Sequence, residues 1–151
     1  MRYRITAVGK LKEPFYRSGA DHYLARLRAL TQCEVVEVRE GKGDPAAVKR
    51  AEGEALLAAA DGHVVALDEG GRTFRTRQLA DHIGQLELTG VSRLTLLIGG
   101  ANGHDEQLLA RCNERWSLSP LTFPHDLARL VLLEQLYRVE TVRAGHPYHR
   151  D

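Results

Sequence analysis

The sequence predicts an α/β fold, a mainly parallel sheet sandwiched by helices, and three observations support it. Segments with strand character alternate with segments of helical spacing, and short connections join them. The most apolar segment, Leu94 to Ile98, lacks the alternation of a half-exposed strand, as expected of a strand covered on both faces. The length of 151 residues fits a single domain spanning residues 1–151.

The first half of the chain predicts three strands separated by two helices. The strands are predicted from alternating or β-branched apolar residues at Tyr3 to Ala7, Cys33 to Val38 and His63 to Leu67. The helices are predicted from helical spacing at Phe15 to Leu30 and Asp44 to Ala60. Asp44 can cap the second helix, because proline follows it at the first helical position. Gly70 and Gly71 predict a turn after the third strand.

The second half predicts three helices and two more strands. Thr76 can cap a helix that ends before Gly90. The remaining elements are a strand at Leu94 to Ile98, a polar helix at Asp105 to Arg115, a strand at Trp116 to Leu118, a loop at Ser119 to His125 and a helix from Leu127 to Val139. The last helix has a broad apolar face, which fits either a partner subunit or packing within the chain.

The charge balance limits how the protein can bind nucleic acid. A formal net charge of +1 argues against a protein that wraps nucleic acid electrostatically, so any RNA contact must be local. Two clusters could supply such a contact, namely Arg72, Arg75 and Arg77, and the later group Arg138, Arg143, His146, His149 and Arg150. The first cluster also fits an ordinary solvated surface.

The cysteines and the apolar segments predict a cytoplasmic protein. Cys33 and Cys112 have no C-x-x-C spacing and lie in segments with strand or helix character, which indicates free buried thiols in a reducing compartment. Met1 to Gly9 lacks the long apolar run of a signal peptide. No segment approaches the ~20 apolar residues of a membrane span, so no membrane association is expected.

Ligands of parallel sheets bind at the carboxyl ends of strands, which directs attention to the loops after Leu67, Ile98 and Leu118. The loop after Ile98, Gly99 to Gly103, contains three glycines and lets backbone approach a ligand closely. It is not the dinucleotide fingerprint, because that pattern would require glycine where Ile98 stands. The loop therefore argues against a redox dehydrogenase.

Other common sites are missing from the sequence. Gly41 to Asp44 lacks the spacing and the ending of a phosphate-binding P-loop, so we interpret it as a flexible connection. Only His146 and His149 are close in sequence, and no cysteine or acid cluster joins them at zinc spacing, so no metal site is predicted. The absence of a G-x-S-x-G elbow excludes the commonest α/β hydrolases.

The tail from His146 to Asp151 carries an unusual set of side chains for a chain end. An aromatic ring, two imidazoles and a guanidinium can stack on a base, exchange a proton near neutral pH and hold an anion. Packing through Pro147 and Tyr148 alone would also explain the segment. A binding module for a nucleotide or a protein stays open as an alternative to an enzyme.

Four ordered motifs resemble the RlmH family of SPOUT methyltransferases. They are Leu96 to Gly103 (LLIGGANG), Trp116 to His125 (WSLSPLTFPH), Leu133 to Arg138 (LEQLYR) and His146 to Arg150 (HPYHR). The resemblance implies a trefoil knot at the carboxyl end, a homodimer and S-adenosyl-L-methionine as cofactor. It also implies methylation of N3 of a pseudouridine in helix 69 of large-subunit (23S) ribosomal RNA. The near-neutral charge suggests that the substrate is the assembled 70S ribosome and not free RNA. A related methyltransferase that acts on transfer RNA is the alternative.

The resemblance also implies the site residues. The cofactor would be held by Leu67, Gly99, Gly100, Leu118, Ser119, Pro120, Leu121, Thr122 and Phe123. The catalytic group would be Tyr148, His149 and Arg150 of the tail, together with His125 and Arg138. His149 is the first choice and His125 the second to accept the imide proton of the base. Arg150 or Arg138 would stabilise charge or bind phosphate, and Tyr148 would stack on the base.

Overall fold

The computed structural model describes residues 1–151 and contains five strands and five helices. The strands are Arg2–Val8 (β1), Cys33–Val38 (β2), His63–Arg72 (β3), Arg93–Ile98 (β4) and Glu114–Trp116 (β5). The helices are Pro14–Arg28 (α1), Pro45–Ala58 (α2), Thr76–Leu88 (α3), Glu106–Arg111 (α4) and His125–Arg143 (α5). The strands form one sheet in the order β2-β1-β4-β3-β5, and every neighbouring pair is parallel. The predicted fold class is confirmed.

The central strand β4 is covered on both faces, as its sequence predicts. Leu94, Leu96 and Ile98 belong to the larger core, which α1, α3 and α5 complete. Leu97 belongs to a smaller core on the opposite face, which includes residues of α2 and α4 such as Leu56. The helices therefore form a layer on each side of the sheet.

The broad apolar face of α5 is used within the chain. This helix packs against α1 and α3, and Leu132, Leu133 and Leu136 lie in the larger core. Gly19 of α1 lies so close to α5 that a Cβ there would come within 2.9 Å of the Leu130 side chain. The width of the apolar face is therefore explained by core packing and does not require a partner subunit. The trefoil knot stays a prediction of the family resemblance.

Strand β3 is longer than predicted. Its pairing with β5 is interrupted after Leu67 and resumes at Arg72. Both of these residues lie opposite Trp116 of β5. The four intervening residues form a large bulge, and the ladder continues with a hydrogen bond from Ser117 N to Arg72 O at 2.8 Å. Gly71 permits this pairing, because a Cβ there would lie 2.7 Å from the carbonyl carbons of β5. The expected simple turn is therefore a bulge within a strand.

Three element ends also differ from the predictions. The fourth helix ends at Arg111 instead of Arg115, because Cys112 has an extended backbone with ψ of 151° and β5 begins at Glu114. Thr76 does not cap α3; Arg75 is the N-cap residue, and the Thr76 hydroxyl donates to Gln135 Oε1 at 3.0 Å. Helix α5 already begins at His125, inside the predicted loop.

The cysteines are free, as expected, and no helix combines the length and apolar character needed to cross a bilayer. Cys33 is buried in the core, and Cys112 is half-buried. Burial raises the pKa of the Cys33 thiol to about 12, so the thiol stays protonated at neutral pH. Cys33 is therefore an inert part of the core.

The carboxylate of Glu114 fastens the edge strand β5 to the rest of the sheet. Its two oxygens lie 2.6 Å from His63 Nε2 and 2.7 Å from His82 Nε2, and Trp116 Nε1 donates to it at 3.0 Å. Burial alone would raise the pKa of Glu114, but these hydrogen bonds outweigh burial and hold the pKa below its ordinary value. One ionised side chain thus connects β3, α3 and β5.

Replacing Glu114 with glutamine should lower the free energy of unfolding by about 1–3 kcal/mol at pH 7, because it removes hydrogen bonds to a charged group. The carboxylate has a lower pKa when folded, so its contribution is complete above the unfolded pKa of about 4.3. The contribution should then fade as the pH falls through the lower folded-state pKa. Urea denaturation of both proteins between pH 7 and pH 3 measures this difference.

The matched control is Asp21→Asn, which removes an exposed acid of α1 that forms no ion pair. Its effect should stay within about 0.5 kcal/mol at every pH. A Glu114→Gln difference that does not change with pH would contradict the role of the carboxylate charge.

Candidate functional site

A cleft of about 660 Å³ lies at the carboxyl ends of β3, β4 and β5, where the sequence directs attention. Its walls come from three loops: the bulge of β3, the glycine loop Gly99 to Gly103 and the segment Ser117 to His125. A smaller cavity of about 260 Å³ lies at the opposite end of the strands. Of these two cavities, the larger has the size and the mixture of apolar and polar walls expected of a ligand site. A third cavity, of about 670 Å³, lies between α1, β2 and α5, and most of the residues that line it are charged.

Glycines give the cleft its shape after β4. A Cβ at Gly99 would lie 3.0 Å from the carbonyl carbon of Gly103 and 3.2 Å from the His104 ring. The loop closes with a hydrogen bond from Gly103 N to Gly100 O at 3.0 Å, and Gly103 has a φ of 75°. The tight loop therefore leaves mainly backbone facing the cleft from this side.

The segment after β5 is held by its own serines and by the bulge. Ser117 Oγ donates to Ser119 O at 2.8 Å, and Ser119 Oγ accepts from Leu121 N at 2.9 Å. Thr122 Oγ1 donates to Glu69 Oε2 of the bulge at 2.7 Å. These contacts fix the wall of the cleft opposite the glycine loop.

The titratable side chains of the cleft include two carboxylates and a neutral imidazole. Asp68 and Glu69 of the bulge line the cleft and bring two carboxylates to it. His104 Nε2 lies 3.2 Å from Leu97 O, and burial lowers the pKa of this imidazole, so the ring is neutral at pH 7. The local balance in the cleft therefore favours a cationic ligand.

The cleft contains nearly all of the residues that the resemblance assigns to the cofactor. The side chains or backbones that line it are Leu67, Gly99, Gly100, Leu118, Ser119, Leu121, Thr122 and Phe123. Pro120 is exposed and does not line the cleft, because the serine-held turn directs it to solvent. His125, from the catalytic group, also lines the cleft at the beginning of α5.

The tail folds back on the distal part of α5. The Tyr148 hydroxyl donates to Glu134 Oε2 at 2.9 Å, and its ring packs on Tyr137 with centroids 4.7 Å apart. The Arg138 guanidinium lies 4.8 Å from the centroid of the Tyr148 ring, and its Nη1 is 3.3 Å from His149 Nδ1. Tyr148, His149 and Arg138 therefore form one cluster.

Glu134 organises this cluster, although the sequence alone does not indicate this role. Its carboxylate accepts from Arg138 Nη2 at 2.6 Å as well as from Tyr148. Burial and the hydrogen bond to Glu134 raise the pKa of Tyr148 to about 12, so the hydroxyl stays protonated. The four-residue spacing of Glu134 and Arg138 on a helix was the available signal.

The cleft and the tail cluster are separate within one chain. His125 and Ala128 line the cleft at the first turn of α5, whereas Arg138 lies thirteen residues after His125. At 1.5 Å per helical residue, this separation is about 20 Å along the helix axis. Neither Arg138 nor the tail residues Tyr148, His149 and Arg150 line the cleft. The structure thus divides the predicted site residues into two groups.

A parallel α/β sheet with a glycine-walled cleft at the strand ends defines a class of proteins that bind small ligands through loop backbone. Within that class, the model of the family described as "Predicted SPOUT methyltransferase" matches residues 1–149. The chain therefore belongs to the SPOUT methyltransferase family.

Similar proteins cover nearly the whole chain. A ribosomal RNA large subunit methyltransferase H from Heliobacterium modesticaldum is 44% identical and covers 99% of each chain. The protein of the same name from Gloeobacter violaceus is 43% identical, again over 99% of each chain.

Solved structures of more distant proteins share the fold. A methylase family protein from Haemophilus influenzae has a TM-score of 0.56 at 13% identity, over 99% of this chain and 70% of its own. A Legionella pneumophila methyltransferase in complex with SAM has a TM-score of 0.52 at 11% identity, over 91% of this chain and 66% of its own. At these identities the likeness concerns the fold alone.

Replacing Glu134 with glutamine should loosen the tail, because Arg138 and Tyr148 lose their shared charged acceptor. We expect faster hydrogen exchange at the amides of residues 146–151, while the exchange of β4 stays unchanged. Mass spectrometry of peptides from the tail measures the change.

The control is Glu54→Gln, which removes an exposed carboxylate that pairs with Arg111 on α4, away from the tail. Exchange of the tail should match wild type in this variant. Equal tail exchange in wild type and Glu134→Gln would show that Glu134 does not hold the segment.

Proposed function

We propose that this protein transfers a methyl group from S-adenosyl-L-methionine to large-subunit ribosomal RNA. The observation that carries the proposal is the full-length similarity to relatives that bear this function in their names. It is combined with a cleft that is lined by residues of the motifs Leu96 to Gly103 and Trp116 to His125. The finer target is N3 of a pseudouridine in helix 69 of 23S ribosomal RNA, as the resemblance of the four motifs implies. Since ribosomes occupy the cytoplasm, we place the protein there.

The residues of the cleft fit this cofactor. S-adenosyl-L-methionine bears a sulfonium and an ammonium against one carboxylate, and Asp68 and Glu69 offer the complementary charge. Leu67, Leu118 and Phe123 provide apolar surface for a flat ring. Gly99 lets the glycine loop fold tightly, because a Cβ there would lie 3.0 Å from the carbonyl carbon of Gly103, so this wall of the cleft consists mainly of backbone. The cleft volume of about 660 Å³ lies within the usual range for such ligands.

When bound, the cofactor supplies a methyl group that is electrophilic because it is attached to a sulfonium. The main task of the protein is alignment, because a direct displacement requires the base nitrogen to face the methyl carbon. The loops that wall the cleft are held by hydrogen bonds, as at Ser117 and Thr122, so they can orient a ligand without first becoming ordered.

The tail cluster supplies the groups that handle the base. His149 accepts the imide proton of the base in this proposal, and Tyr148 stacks on or orients the ring. His149 Nδ1 lies 3.3 Å from Arg138, and its Nε2 lies 3.0 Å from Asp151 Oδ1. One of these contacts must open to free a ring nitrogen for the proton. Arg138 or Arg150 then stabilises charge on the ring oxygens.

We infer that the active form is a homodimer in which the tail of one subunit completes the cleft of the other. The support is the distance of about 20 Å along α5 between the two groups of one chain. A short tail that is fastened to Glu134 does not span that distance within its own subunit. A second copy can bring the groups together, because in a twofold-symmetric dimer the tail of each subunit can face the cleft of the other.

The assembled 70S ribosome should be the preferred substrate, because a net charge of +1 gives little general attraction for free RNA. We expect purified protein and labelled S-adenosyl-L-methionine to label 70S ribosomes, with the label mapped to a pseudouridine of helix 69. Free hairpin RNA and transfer RNA should accept far less. Label in transfer RNA alone, or in no RNA, would refute the proposed function.

The same assay tests the tail chemistry. His149→Ala should lower the rate of transfer by about 10² to 10⁴, the usual contribution of a general base, while cofactor affinity measured by calorimetry stays close to wild type. His22→Ala, at an exposed position of α1, is the matched control and should transfer at the normal rate. Unchanged transfer by His149→Ala would remove His149 from the mechanism.

Mixed subunits test the shared site. A cleft variant, Gly99→Leu, and the tail variant His149→Ala should each be inactive as homodimers. After mixing and exchange, each hybrid dimer should contain one intact cleft facing one intact tail, so transfer should return to roughly a quarter of the wild-type rate. No recovery, despite hybrid dimers detected by native mass spectrometry, would show that cleft and tail act within one chain.

A further inference from the structure

An exposed basic surface lies near the contact between α3 and the tail and has no role in the proposed methyl transfer. It consists of the exposed side chains of Arg72 and Arg75 and the partly buried ring of Phe74, and we call it the arginine surface. We propose that this surface binds the backbone and a neighbouring base of the substrate RNA, next to the nucleotide that receives the methyl group. The inference rests on the proposed function and adds to it a binding surface outside the cleft.

The arrangement around Phe74 is rigid. Its ring packs edge-on against Trp116, with centroids 5.6 Å apart, and in a tilted arrangement against His82, with centroids 5.3 Å apart. The Arg72 guanidinium lies 4.4 Å from the centroid of the same ring. A stacked guanidinium loses less freedom on binding than a free one, so it is prepared for an anion.

The charges of this surface are not neutralised within the chain. Arg72 and Arg75 are exposed, and neither of them lies within ion-pair distance of a carboxylate. By contrast, Arg77 and Arg138 are paired with acids. A net charge of only +1 gives little general attraction for RNA, so the position of each free guanidinium group matters.

The folded chain joins two arginine clusters that are far apart in the sequence. Arg77 Nε donates to both carboxylate oxygens of Asp151, at 2.7 and 2.9 Å, across 74 positions of the chain. Asp151 also contacts His149 Nε2 at 3.0 Å. The beginning of α3 is therefore fastened to the tail. Arg75 is the N-cap residue of this helix and Arg72 lies three residues before it, so both are close along the chain to the contact with the tail.

RNA is the partner that fits this chemistry. Guanidinium groups bind phosphate through paired hydrogen bonds, and arginine or aromatic rings also stack on unpaired bases. An acidic protein segment would use the charges but would gain nothing from the stacked ring of Phe74. The nearby tail cluster is proposed to hold a base, so the strand that carries this base must pass close to the surface.

The test compares two double variants with equal loss of charge. Arg72→Gln with Arg75→Gln should raise the KM for 70S ribosomes by about tenfold or more, with kcat and cofactor affinity unchanged. The slope of log affinity against log salt, from sedimentation with ribosomes, should fall in magnitude by about two. Arg39→Gln with Arg50→Gln, exposed and unpaired near α2, should behave like wild type.

Equal KM and equal salt slope in the two double variants would overturn the proposal. A photo-crosslinking residue at exposed Thr73 then identifies what lies on the surface. A crosslink to 23S ribosomal RNA is expected, and a crosslink only to a ribosomal protein would also overturn the proposal. If wild type transfers no methyl group but still sediments with ribosomes through these arginines, the proposed reaction fails while the binding surface stands.

Discussion

The whole architecture depends on burying the central strand β4 on both faces. Leu94, Leu96 and Ile98 face one layer of helices, and Leu97 faces the other, so neither layer can be removed without exposing the strand to water. Parallel strands also place their carboxyl ends at one edge. The loops after β3, β4 and β5 consequently meet there and form the cleft, which means that the packing of the core also determines where a ligand can bind.

Irregular backbone gives this common architecture its particular chemistry. The bulge of β3 brings Asp68 and Glu69 into the cleft, and the glycine loop after β4 presents backbone from the other side. The bulge persists because β5 pairs again at Arg72, and β5 is itself fastened by the contacts of Glu114 with two histidines. The acidic character of the cleft thus depends on an ionised side chain at the edge of the sheet.

Helix α5 relates the two functional regions to each other. Its first turn borders the cleft at His125, and its distal part holds the tail through Glu134 and Arg138. Because a helix is a rigid spacer, the two regions of one chain stay about 20 Å apart. This constraint is the physical reason to expect a shared site between two subunits, and the end of the tail pairs with Arg77 of α3.

The sequence by itself determined the layered fold, the central position of β4 and the cleft at the strand ends, because periodicity and buried apolar runs are local properties of the chain. The glycines and the loop after β5 were located in the same way, although Pro120 lies outside the cleft. Only the tertiary structure decided the bulge of β3, the early start of β5 and the separation of His125 from the tail. These features depend on contacts such as those between Glu114 and His63, or Arg77 and Asp151, which join residues 51 and 74 positions apart. No local pattern encodes such pairs, since they exist only once the register of the strands and the packing of α5 are established.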